Sequence, residues 1–117
     1  MGLFLPARIA ADDVAAIVKR KLEWILSACI PSEVWVFGSA ATGDMTEASD
    51  VDLAVLFPDD TAIRAAQSTL ARTPRLDDWP QDLVWFRDED FHTRKTIGGL
   101  PMIIAQEGLK LYPEDQQ

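Results

Sequence analysis

The stretch that decides the reading runs from Phe37 to Phe57, FGSAATGDMTEASDVDLAVLF. Its closing part, Asp50 to Phe57, predicts a β-strand ended by Pro58. Side chains on a strand alternate faces, so Asp50 and Asp52 point one way while Val51, Leu53 and Val55 point the other way into a core. A rise of about 3.3 Å per residue sets the two carboxylates about 7 Å apart. Like charges at that spacing repel and make a poor structural choice unless something positive lies between them. Hard, oxygen-seeking cations, Mg²⁺ or Mn²⁺, meet that need.

Working outward, Val34-Trp35-Val36-Phe37 is a β-branched and aromatic run stopped by Gly38-Ser39. A strand that ends in a residue without a side chain and then a small hydroxyl allows backbone N–H groups to approach a phosphate. Downstream, Asp82 opens a third strand, Leu83-Val84-Trp85-Phe86, and brings a third carboxylate to the same sheet face. Three carboxylates and a phosphate-holding turn describe a two-metal phosphoryl- or nucleotidyl-transfer site.

The rest of the chain supplies helices. Val14, Ile17, Val18, Leu22, Ile25 and Cys29 recur at threes and fours, which predicts an amphipathic first helix with Asp12 or Asp13 as N-cap, charges on the other face, and an end at Pro31. Asp59-Asp60-Thr61 followed by Ile63, Ala66, Gln67 and Leu70 predicts a capped helix that ends by Pro74. A helical segment over Asp88–Lys95 is broken by Gly98-Gly99, and Pro101 to Gln106 forms a last short helix before Gly108. Helices interleaved with strands, without repeats or linkers, predict an α+β fold: a small mixed β-sheet flanked by helices, in two or three layers. One domain is expected over residues 1–117, with 113–117 a frayed tail.

Composition narrows the partners. With 19 acidic against 11 basic residues and a net charge of −8, the chain offers no broad positive field for a nucleic-acid backbone. The single cysteine, Cys29, builds neither an internal disulfide nor a zinc site and reads as a small buried hydrophobe. No apolar run has the length of a membrane span or of a signal segment, so a soluble cytoplasmic protein is expected. His92, set among Arg87, Asp88, Glu89, Asp90, Arg94 and Lys95, reads as a solvated helix residue, and Lys95 as a surface charge. Trp35 and Trp85 read as strand core, whereas Trp79 beside Pro80 is a candidate for stacking on a base. Neither a P-loop nor an EF-hand loop is present.

Gly38-Ser39, ten residues, then Asp50-Val51-Asp52 resembles the GSx10DxD motif of the DNA polymerase β-like nucleotidyltransferase superfamily. Phe37, Gly43, Ser49 and Leu53 also stand where small prokaryotic members have them. With QDLVWF around Asp82 and the terminal EGLKLY, the likeness extends along the chain and is greatest to the minimal nucleotidyltransferase (MNT) family, short proteins commonly paired with a HEPN-domain protein. The resemblance implies a polymerase β-like fold, with Gly38 and Ser39 at the triphosphate of ATP and Asp50 and Asp52 as Mg²⁺ ligands. It implies that Asp82, the third carboxylate, holds the catalytic metal and helps deprotonate the acceptor hydroxyl. Members in HEPN pairs act as antitoxins and can transfer AMP from ATP to a tyrosine of the HEPN toxin, a ribonuclease. This chain departs from the family in its turn: where GSRARG is usual, it has Ala40, Ala41 and Thr42, and so lacks a guanidinium clamp for phosphate.

At this size no length remains for a separate acceptor-binding domain, so the acceptor is expected on another protein, a HEPN-domain toxin in a hetero-oligomer. Two other readings stand beside it. One is an antitoxin that acts by contact without turnover; the other is a small-molecule nucleotidyltransferase resembling the aminoglycoside-modifying enzymes.

Overall fold

The computed structural model describes residues 6–114. Nine elements follow in order: α1 (Ala11–Ala28), β1 (Glu33–Phe37), α2 (Ser39–Thr42), β2 (Val51–Phe57), α3 (Asp60–Ala71), β3 (Gln81–Arg87), α4 (Asp88–Arg94), α5 (Gly99–Glu107) and β4 (Leu109–Tyr112). The strands form one mixed sheet in the order β3-β2-β1-β4, with β1 antiparallel to β2 and β4, and β2 parallel to β3. The expected mixed sheet flanked by helices is the architecture found. A parallel pair needs a crossover, and α3 supplies it.

The central strand β2 has two apolar faces, and each is covered. On one side Val51, Leu53, Val55 and Phe57 meet Ile17, Val18, Trp24 and Ile25 of α1 and Ala66 and Leu70 of α3. On the other, Ala54 and Leu56 pack with Phe91 of α4 and Ile104 of α5, joined by Trp35, Phe37, Val84 and Phe86. The molecule is therefore three layers, α1/α3, sheet, α4/α5. Trp35 and Trp85 are strand residues packed into the core, as expected, with Trp85 stacked on Phe57 at 6.1 Å between ring centroids. Among the described residues no helix is long and apolar enough to cross a membrane.

The structure corrects several local expectations. Neither Asp12 nor Asp13 caps α1: the N-cap is Ala10, without a side-chain cap, and both carboxylates lie in the first turn, where they favour the positive end of the helix dipole. The helix ends at Ala28, ahead of Pro31, with the Cys29 N–H closing on the Ile25 carbonyl. The α3 cap is as expected, Asp59 accepting from the Ala62 N–H at 2.8 Å. Two elements had no expectation. The edge strand β4 is only four residues long and half exposed, too short for alternation to signal it, and α2 is a single turn. The charged face of α1 is also incomplete: Lys21 lies on the apolar stripe and is fully buried. The frayed-tail expectation falls mainly on residues 115–117, outside the described residues.

Candidate active site

Because β1 runs antiparallel to β2 and β2 parallel to β3, the C-terminal end of β1 and the N-terminal ends of β2 and β3 coincide. All five residues singled out from the sequence gather there. Phe37 pairs with Asp52, and Asp52 pairs with Asp82 across the parallel ladder. Alternation places Asp52 and Asp82 on the face that continues as Ala54, Leu56, Val84 and Phe86, the α4/α5 side of the sheet. Asp50 immediately precedes β2 and is exposed, as is Asp82, while Asp52 between them is half-buried.

Gly38 closes this corner. Its φ of +69° and ψ of −152° fall in a region that essentially only glycine occupies. A Cβ at this position would lie 2.3 Å from Asp52 Oδ2. The missing side chain is thus what lets the backbone turn press against the Asp52 carboxylate. Ser39 opens the single turn α2, in which the N–H groups of Ala41 and Thr42 return to the Gly38 carbonyl. Ala40 and Ala41 pack against the core.

The carboxylates feel one another. Burial pushes the Asp52 carboxyl above its ordinary value, and the charges of Asp82 and then Asp50 push it further. The loop that returns to β2 is closed by its own hydrogen bonds, Thr46 N–H to Ser49 Oγ and Ser49 N–H to the Thr46 carbonyl, both 3.0 Å. It is tied to the segment before β3 by the Trp79 indole N–H on the Ser49 carbonyl at 2.9 Å, and by the Val51 N–H on the Pro80 carbonyl at 2.9 Å. Trp79 thereby commits its polar edge to the protein and packs beside the core.

Residues 14–111 match the family model described as "Nucleotidyltransferase domain". The chain belongs to the nucleotidyltransferase domain family. A crystal structure of a candidate nucleotidyltransferase from Sulfolobus solfataricus is similar in fold, with a TM-score of 0.51 and 20% identity over 71% of this chain and 75% of that one. No curated protein matches this chain.

The donor chemistry of this nucleotidyltransferase domain suits a hard cation: three carboxylates at one sheet corner, with a glycine turn against the middle one. Among the described residues no three His, Cys, Asp or Glu side chains form a ready-made metal cage.

The remaining titratable candidates lie elsewhere. His92 is more than a solvated residue, since its Nε2 pairs with Glu33 Oε2 at 2.5 Å, but Glu33 starts β1 at the end of the sheet opposite the carboxylates. Cys29 is half-buried with its thiol on the Ile25 carbonyl, and burial pushes the thiol up, away from a reactive thiolate. Lys95 caps α4 through its backbone N–H.

Sequence reasoning missed Lys21. Its Nζ donates to Asp77 Oδ1 at 2.7 Å, to Gln81 Oε1 at 2.8 Å and to the Trp79 carbonyl. The signal was present: Lys21 stands four residues from both Ile17 and Ile25, so it must share their stripe.

Proposed function

We propose that this nucleotidyltransferase domain is an MNT-type protein adenylyltransferase, an antitoxin that transfers AMP from ATP to a tyrosine hydroxyl of a HEPN-family ribonuclease toxin in the cytoplasm. The observation that carries nucleotidyl transfer is the in-register Asp52–Asp82 pair with Gly38, stripped of a Cβ, against Asp52. The further steps, to AMP, a protein acceptor and an antitoxin, rest on the motif's likeness to the MNT family.

In this reading the backbone N–H groups at Gly38 and Ser39 hold the triphosphate, and Asp50 and Asp52 bind Mg²⁺ (or Mn²⁺). Asp82 contributes the third carboxylate to the metal site and receives the proton of the acceptor hydroxyl. The bound cation would neutralise phosphate charge and stabilise the attacking and leaving oxygens. The acceptor oxygen forms a bond to the α-phosphorus, the bond from that phosphorus to the bridging oxygen breaks, and pyrophosphate leaves. A protein acceptor is supported by exposed apolar side chains on and before α5, namely Ile97, Leu100 and Ile103. The chain between α5 and β4 reaches the same sheet end as the carboxylates, because Leu109 pairs with Val36.

The test is intact mass spectrometry of a co-expressed HEPN partner after incubation with this chain, ATP and Mg²⁺. A gain of AMP units that disappears with Asp50→Asn/Asp52→Asn is expected. A second reading, neutralisation by contact alone, is favoured by the lack of a guanidinium at Ala40–Thr42. Its mark is a toxin of unchanged mass that the double variant still silences. Transfer to an aminoglycoside-like small molecule, with no effect on any HEPN protein, would displace both.

A further inference from the structure

Among the described residues Lys21 is the one buried charged or polar residue, and nothing in the proposed chemistry uses it. Its three ammonium protons match three acceptors, and all three belong to one short segment, Asp77 to Gln81. That segment has no regular structure before β3 begins at Gln81, and it delivers Asp82. An apolar residue at position 21 would simply extend the stripe of Ile17 and Ile25. A buried ion pair is a poor means of gaining stability alone, since desolvation offsets much of the attraction.

The geometry points to Lys21 as a positioning residue for the acidic corner. It touches none of Asp50, Asp52 and Asp82, and acts through the segment it gathers. The Gln81 amide oxygen it holds belongs to the residue before Asp82, and that oxygen also accepts from Arg75 at 3.1 Å. The Asp77 carboxylate it holds accepts the Trp79 N–H at 2.7 Å. Trp79 and Pro80 then pass the constraint to the other strand, at the Ser49 carbonyl and the Val51 N–H, on either side of Asp50. One ammonium therefore ties together the backbone approaches of all three carboxylates. This inference rests on the reading of that corner as a metal and nucleotide site.

Two variants and two readouts test it. Lys21→Met keeps the aliphatic stem without the donors; adding Asp77→Asn removes the unpaired buried charge and preserves an acceptor for the Trp79 N–H. Mn²⁺ binding to the metal-free protein is followed by electron paramagnetic resonance, and AMP transfer by kcat and KM for ATP. Lys21→Met/Asp77→Asn is expected to melt within a few degrees of the native chain yet bind Mn²⁺ about 10-fold more weakly. Its kcat should fall about 10- to 100-fold, the range for losing a group that orients a ligand, while KM for ATP stays within about 3-fold. Native Mn²⁺ affinity and kcat in that double variant would overturn the inference, because a purely structural lysine predicts full recovery. Should the Lys21 variants not fold, Gln81→Ala, which leaves the Lys21–Asp77 pair intact, is expected to weaken Mn²⁺ binding several-fold, and unchanged affinity there is equally fatal. A native chain that binds Mn²⁺ but transfers no AMP would sink the proposed function, and the Mn²⁺ titrations would still decide the case of Lys21.

Discussion

Replacing Gly38 with alanine inserts one methyl group at the point where the turn meets Asp52. The added Cβ would start 2.3 Å from Asp52 Oδ2, whereas ordinary contact begins at 3.4 Å, so the carboxylate must retreat by about 1 Å. A displacement of about 1 Å at a reacting centre can cost about 10²-fold in rate. The backbone contributes separately: holding alanine at φ +69° and ψ −152° costs about 1–3 kcal/mol, or about 4–12 °C in melting temperature for a chain of this size. Gly43→Ala separates the two effects. Gly43 also has a positive φ, +86°, but nothing lies within 4 Å of its added Cβ. That control should lose stability by about 1–2 kcal/mol, the strain of the left-handed region alone, and keep its transfer rate within about 2-fold. Thermal melts followed by circular dichroism and initial rates of AMP incorporation into the partner read the two quantities. Equal rates in the Gly38 and Gly43 variants would refute the idea that Asp52 works where Gly38 presses on it.

Other expectations follow from the same geometry. Asp82→Asn should lower transfer by about 10²- to 10⁴-fold with little change in folding, measured by incorporation rate and circular dichroism. Because Asp52 holds its proton more tightly in the folded than in the unfolded chain, its ionisation destabilises the metal-free fold as pH rises through the raised value. Asp52→Asn should therefore raise the melting temperature near pH 7, and the gain should vanish as pH falls below the ordinary 3.8, which melts across pH will show. On the α4/α5 side, Phe91 is completely buried against Trp35 and Phe86, so Phe91→Ala should cost about 3–5 kcal/mol in urea denaturation.

The carboxylates and the Gly-Ser turn were legible because their information is local. Alternation along one strand places Asp50 and Asp52 together, and a glycine after an apolar run marks a turn. Which residue faces which was not local. That Asp52 stands between Phe37 and Asp82 depends on the register of strands joined by a crossover, and a slip of one residue would have turned Asp82 to the other face. Lys21 escaped for a related reason: periodicity identified its stripe, but its acceptors lie more than fifty residues away, in a loop whose path no local pattern sets. The α1 cap shows the limit of residue preference, since two aspartates at a helix start favour the first turn through the dipole as readily as they cap it. The strand β4 depends on an open edge of β1, which the four residues Leu109–Tyr112 do not announce.

The mixed order of the sheet divides the molecule into an acidic end and a quiet one. Gly38, Asp50, Asp52 and Asp82 share the first, while the connection from α1 to β1 lies at the second, where Ile30 is 85% exposed. A segment added at the exposed Ile30, ahead of the buried Pro31, would therefore lie away from the acidic corner. In that sense the connector is the natural site at which to graft a reporter or join the chain to a partner.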